Sequence, residues 1–165
     1  MSTAPIVRPS ARVILFDERD RFLLFLTVAP DSSKFARWIT PGGEINSGEG
    51  ILEAAQRELF EETGIRDAIL RRIPGFIEHP VQWDLAAYTH ERSHFFVSSV
   101  VSHSLVADNW TDDEKKDILD WKWWSLSELV EGRAATDPPG LIDLVATQLV
   151  ARTPPSCELP EVPFS

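Results

Sequence analysis

The sequence predicts a single α/β domain, with strands on both sides of one acidic helix. Two observations carry this. Short apolar runs rich in β-branched and aromatic residues precede and follow the helix, and a second helical pattern closes the domain. The size agrees: 165 residues with 43% hydrophobic and 25% charged side chains is ordinary globular composition, enough for one real core.

In chain order, Ala11 to Phe16 and Phe22 to Val28 read as strands joined by the polar turn Asp17-Glu18-Arg19-Asp20. Residues 30 to 37 read as a polar loop, and Trp38-Ile39-Thr40 leads into Pro41-Gly42-Gly43. A helix follows. Asn46 or Ser47 is placed to cap it, and Glu49 favours the positive end of its dipole. Ile51, Leu52, Ala55 and Leu59 form its apolar stripe, and Gly64 suits a left-handed C-cap. Residues 69 to 77 and 93 to 101 look extended, and Trp121-Lys122-Trp123 alternates like a short strand. Trp121, Trp123 and Trp124 are read as filling the core or its edge. Ser125 opens a small helix over Leu126 to Glu131, and residues 139 to 152 carry a last helix with Leu141, Leu144, Val145 and Leu149 at helical spacing. The domain is therefore drawn as residues 1–152. Residues 153–165 hold four prolines in thirteen positions and read as an irregular tail.

The central helix is chemically unusual. Glu58, Glu61 and Glu62 stand at i, i+3 and i+4 and so share one face. Three crowded carboxylates repel one another, and a divalent cation is the natural partner for them. Glu49, Glu53, Arg57 and Glu61 step along the helix four residues apart, so Arg57 can hold a carboxylate on either side.

The stretch GEINSGEGILEAAQRELFEETGI, residues 43 to 65, matches the Nudix box GX5EX7REUXEEXGU, with U aliphatic, at every specified position. Gly43 opens it, Glu49 follows, then Arg57-Glu58-Leu59, Glu61-Glu62 and Gly64-Ile65. At ordinary residue frequencies such a match arises by chance on the order of once in 10⁷ chains. The chain is therefore identified as similar to the Nudix hydrolases. The order of elements also resembles that family's α/β/α sandwich, in which a mixed β-sheet lies between helices.

The resemblance implies Mg²⁺-dependent hydrolysis of a phosphoanhydride, with Mn²⁺ as a substitute. It assigns Glu58, Glu61 and Glu62 and the carbonyl of Gly42 as metal ligands, with Glu58 either a ligand or the base that activates water. Arg57 orients these groups. The family often adds an acidic residue from a distant loop, and Glu114 and Asp117 lie in the expected neighbourhood. Arg12, Arg37 and Trp83 are candidates for substrate, with Arg8 and Lys34 beside the same cleft. Trp83 lies where members that cut dinucleoside polyphosphates stack a base, whereas Pro80 matches a marker of the ADP-ribose branch. The implied substrate is a small nucleotide: a nucleoside triphosphate, ADP-ribose or a dinucleoside polyphosphate.

Composition limits the alternatives. The net charge of −10 disfavours long nucleic acid, and with it RNA 5′-end pyrophosphohydrolysis. No apolar run approaches a membrane span, and the N-terminal residues lack a secretory core, so a cytoplasmic location is expected. The single cysteine, Cys157, forms no intrachain disulfide. The assembly stays open between a monomer and a homodimer. A non-catalytic ligand-sensing module of the same fold is a second reading, but such modules usually lose box glutamates that this chain keeps. Isopentenyl diphosphate isomerases resemble the fold too; they need a cysteine in the body of the domain, and Cys157 lies in the tail.

Overall fold

The computed structural model describes residues 4–28, 36–81, 87–101 and 118–152. Among these, nine strands form one curled mixed sheet: β1 (Val7–Phe16), β2 (Phe22–Val28), β3 (Ala36–Ile39), β4 (Gly42–Glu44), β5 (Arg71–Arg72), β6 (Ile77–Pro80), β7 (His90–Ser99), β8 (Ile118–Trp124) and β9 (Thr136–Asp137). The helices are α1 (Ile51–Thr63), α2 (Leu126–Glu131) and α3 (Leu141–Arg152).

The main path of the sheet runs β5-β7-β1-β2-β3-β9, with β4 against β1, β6 against β7 and β8 against β2. Its centre is the parallel β1–β7 ladder, continuous from Val7↔His90 to Phe16↔Ser99. Strand β1 meets β2 at Phe16↔Phe22, while its other end pairs with β4 through Ser10↔Glu44, Ala11↔Gly43 and Arg12↔Gly42. β2 and β4 thus hold opposite ends of β1.

Alternation along β1 and β2 feeds two cores. Ala11, Val13, Leu15, Leu23 and Phe25 pack with Ala54, Ala55 and Leu59 of α1 and with Phe96. Ile14, Phe16, Phe22 and Leu24 pack with Phe95, Val97, Leu129 of α2, and Leu141 and Val145 of α3. Both faces of the central strands are covered, which is why their sequences read as nearly continuous apolar runs. Strand β1 begins at Val7, not Ala11, because its polar start is paired along β7. Ala36 and Arg37, read as loop, open β3 against β2. Of residues 69 to 77, only Arg71–Arg72 and Ile77 are in strands. Trp123 and Trp124 pack at the two cores, and Trp121 is exposed.

Helix α1 starts later than its capping residues suggest. Gly50, in extended conformation, is its N-cap and offers no side-chain bond, so neither Asn46 nor Ser47 caps it. Instead the Glu49 carboxylate accepts the Asn46 N–H at 3.0 Å and braces the approach turn. Its buried face runs through Ala54, Ala55, Glu58, Leu59, Glu62 and Thr63, whereas Leu52, placed on the core stripe from sequence, is 45% exposed. Gly64 ends α1 in the left-handed region, its N–H donating to the Phe60 carbonyl at 2.8 Å, as expected. Ser125 caps α2 as expected, accepting the Glu128 N–H at 3.2 Å.

Candidate active site

A cavity of about 610 Å³ opens between α1 and the sheet, lined by residues of β1, β2, β3 and β4 together with Tyr88, Glu91 and Ile118. One wall is the acidic end of α1. Glu58 and Glu62, one helical turn apart, are 8% and 6% exposed, and Glu61 is more open beside them. Burying a carboxylate is costly unless it is paired or hydrogen-bonded, and both of these are held by named partners.

Backbone geometry makes room for them. Gly42 has φ +144°, and a Cβ there would fall 2.3 Å from the Ala11 carbonyl oxygen, so only glycine fits against β1. Its N–H donates to Glu62 at 3.0 Å. A Cβ on Gly43 would lie 2.6 Å from a Glu58 oxygen; the missing side chain is the seat of that carboxylate. The glycine pair therefore places two glutamates.

Arg57 binds the remainder of the wall together. Its guanidinium donates to both oxygens of Glu49 at 2.7 and 2.9 Å, to Glu58 at 2.8 Å, to Glu61 at 3.2 Å and to the Glu44 carbonyl at 2.9 Å. The expected pairing with Glu53 is replaced by Glu49, because Glu49 lies outside the helix and folds back over it. The hydrogen bonds from Arg57, then the one from the Asn46 N–H, lower the Glu49 pKa to about 2. The same hydrogen bonding to Glu49, then the bond to Glu58, raises that of Arg57 against the effect of burial.

The facing wall holds arginines in buried pairs. Arg12 donates to Glu91 at 3.0 Å and to the Thr40 carbonyl at 3.1 Å. Burial pushes the Glu91 pKa up, but the Arg12 charge and hydrogen bond outweigh it and hold it at about 2. Arg37 donates to Asp137 at 3.1 Å, and His79 Nε2 lies 3.7 Å from the same carboxylate. At the rim, Arg8 donates to the Tyr88 hydroxyl at 2.8 Å with its guanidinium over the Tyr88 ring, and the Glu44 carboxylate is 3.8 Å away.

Among the described residues, the His and carboxylate groups crowded within 4.8 Å of one another are His79, Glu91 and Asp137, not the box glutamates. Arg12 and Arg37 already offset that cluster's charge. On α1 and its approach turn, by contrast, Glu49, Glu58 and Glu61 share the single guanidinium of Arg57, and Glu62 accepts the Gly42 N–H and interacts with the Arg12 charge. The all-oxygen donors of α1 and the Gly42–Gly43 backbone suit a hard divalent cation, and the net negative charge there favours one.

The structure thus brings Gly42, Arg57, Glu58, Glu61, Glu62, Arg12 and Arg37 to one cavity. Trp83, Glu114, Asp117, Lys34 and Cys157, and the tail over residues 153–165, lie outside the described residues. His79, Tyr88, Glu91 and Asp137 were not singled out from sequence. They sit in or beside strands outside the box, and the parallel pairings of β1 with β7 and of β3 with β9, with the antiparallel pairing of β6 with β7, bring them beside the arginines.

A mixed sheet with a glycine pair feeding an acidic helix is the arrangement that the Nudix box implies, and comparison with known proteins gives the family. The NUDIX domain profile matches residues 7–145, and the chain belongs to that family. It is a hydrolase acting on phosphoanhydride bonds, and hydrolases of this family generally use divalent metals. An RNA pyrophosphohydrolase from Erythrobacter litoralis is 30% identical over 117 residues, covering 65% of this chain and 70% of the relative. One from the Wolbachia of Brugia malayi is 27% identical over 135 residues, covering 76% and 79%. The fold is that of the MutT protein from Methanosarcina mazei Go1, with TM-score 0.67, 21% identity, and coverage of 93% of this chain and 100% of that one. It is likewise that of the E. coli dihydroneopterin triphosphate pyrophosphohydrolase, with TM-score 0.66, 17% identity, and coverage of 88% and 99%. No helix among the described residues is long and apolar enough to cross a membrane.

Proposed function

We propose that this protein is a Mg²⁺-dependent pyrophosphohydrolase that cleaves a nucleoside diphosphate linked to a further group, with Mn²⁺ able to replace Mg²⁺. The observation that carries the reading is the cavity with two unlike walls. Carboxylates seated by Gly42 and Gly43 face arginines across a space of nucleotide size.

In this reading Glu58, Glu61, Glu62 and the Gly42 carbonyl hold the cation. When bound, it offsets charge on the phosphate oxygens and lowers the pKa of a water. Water attacks one phosphorus, the bridging P–O bond breaks, and two phosphate-bearing products leave. Arg57 fixes the rotamers of Glu58 and Glu61, so their positions are set before substrate arrives. Glu58, pressed against the Gly43 backbone, is either a ligand or the base that takes the water's proton. Phe25, Val28, Ile39 and Ile118 give the cavity an apolar side for a base or sugar. Thr27 there has a buried hydroxyl with no hydrogen-bond partner among the described residues, a handle for a polar edge. Arg8, whose contacts are to a phenol and a more distant carboxylate, is the cavity arginine most easily redirected to a phosphate.

The names of the relatives favour a second reading, removal of pyrophosphate from an RNA 5′ end. The net charge of −10 argues for mononucleotides. A substrate panel decides: nucleoside triphosphates, ADP-ribose, a dinucleoside polyphosphate and a 5′-triphosphorylated oligoribonucleotide, each with Mg²⁺ or Mn²⁺, beside Glu61→Gln. We expect at least one small nucleotide to be cleaved, and Glu61→Gln to lose on the order of 100-fold or more in kcat while keeping its Tm. Preference for the oligoribonucleotide selects the second reading. If every substrate stays intact with both metals, the hydrolase mechanism proposed here is wrong.

A further inference from the structure

Sequence alone gives Arg12 to the substrate. We infer instead that Arg12, oriented by Glu91, is a positioning residue that sets the glycine loop and, through it, the metal ligands on α1. The inference rests on the metal reading of the box.

The segment from Thr40 to Gly43 is held at three points. Arg12 Nη1 donates to the Thr40 carbonyl at 3.1 Å, the Val13 N–H donates to the Pro41 carbonyl at 2.9 Å, and the Gly42 N–H donates to Glu62 at 3.0 Å. Arg12 also underlies the segment sterically. A Cβ built on Gly42 would meet the Arg12 Cα at 2.7 Å and its Cγ at 2.9 Å. The Arg12 side chain is 9% exposed, and the Glu91 that receives its other terminal nitrogen is 3% exposed. Glu62 and Asp137 both act on the Arg12 charge.

A phosphate-binding arginine needs free donors facing the ligand. Arg12 already gives one N–H of each terminal nitrogen to a protein acceptor, and turning the guanidinium towards a ligand would leave the Glu91 carboxylate buried without its partner. What those contacts do hold is the backbone whose Gly42 N–H grips Glu62 and whose carbonyl is a proposed ligand. Groups that orient metal ligands change metal affinity by roughly 10–100-fold when removed.

The test measures Mn²⁺ binding without nucleotide, by electron paramagnetic resonance of free Mn²⁺, in wild type, Arg12→Met, Arg12→Lys and the double variant Arg12→Met/Glu91→Gln. The double variant leaves no unpaired buried carboxylate, so it serves if Arg12→Met does not fold. Arg12→Met and the double variant are expected to bind Mn²⁺ about tenfold more weakly. The Mg²⁺ concentration for half-maximal turnover should rise by a similar factor, with the nucleotide KM at saturating Mg²⁺ within about twofold of wild type. Arg12→Lys should recover part of the loss. Unchanged Mn²⁺ affinity in the variants, with or without a raised nucleotide KM, overturns the inference; a raised KM alone returns Arg12 to the substrate. A wild type that binds no Mn²⁺ sinks the metal reading, and this inference with it.

Discussion

The two walls of the cavity manage charge differently. On α1 and its approach turn, one guanidinium serves three carboxylates drawn from a short run of sequence, Glu49, Glu58 and Glu61. On the facing wall each buried arginine has its own carboxylate, brought from 79 residues away for Arg12 and 100 for Arg37. The first arrangement is open, with three carboxylates to one guanidinium; the second is closed in pairs, with Glu62 also acting on the Arg12 charge. The difference teaches that close packing of possible ligands has to be weighed against the cations already built in beside them. His79, Glu91 and Asp137 are the tighter cluster, yet each of its carboxylates has an arginine; on α1 Glu58 and Glu61 share one, and it is there that we propose the ion.

Gly43→Ala should break the comparison most severely, because its methyl would stand 2.6 Å from Glu58 and force that carboxylate from its seat. We expect kcat to fall by on the order of 100-fold, with the fold retained by circular dichroism. A near-normal kcat would mean that Glu58 need not stay where it is.

A smaller effect separates the walls by pH. Glu91 has a folded-state pKa near 2 against an ordinary 4.5, so its pairing with Arg12 stabilises the fold fully above about pH 4.5 and is lost as pH falls towards 2. Denaturant melts across that interval should show Glu91→Gln losing about 2–3 kcal/mol less stability than wild type. Glu49 shifts in the same direction, but its pair is less buried and screened, so Glu49→Gln should flatten the same curve less. Equal flattening by both would contradict the distinction between a closed and an open wall.

How much of this could be read in advance follows the same division. The α1 wall is contiguous, so spacing alone placed Arg57, Glu58, Glu61 and Glu62 together, and Gly64 at the helix end. Its capping was misread because Asn46 and Ser47 precede a turn through Gly48, whose φ of +79° lets the chain fold back before Gly50 starts the helix. The core strands were legible because both faces are buried and the apolar run is nearly unbroken. The start of β1 and all of β9 were not, since Val7 to Ser10 and Thr136–Asp137 are extended by their partners and carry no apolar pattern of their own. Glu91 and Asp137 were invisible for a related reason: only the fold brings them to Arg12 and Arg37. The cation count on the facing wall therefore looked larger from sequence than it is.

The most direct measurement compares Mn²⁺ binding by Glu61→Gln and by His79→Asn, each against wild type and without nucleotide. If the glutamates of α1 hold the metal, Glu61→Gln loses most of the affinity and His79→Asn keeps it within about twofold. Loss with His79→Asn and retention with Glu61→Gln would place the ion in the other cluster and contradict the account.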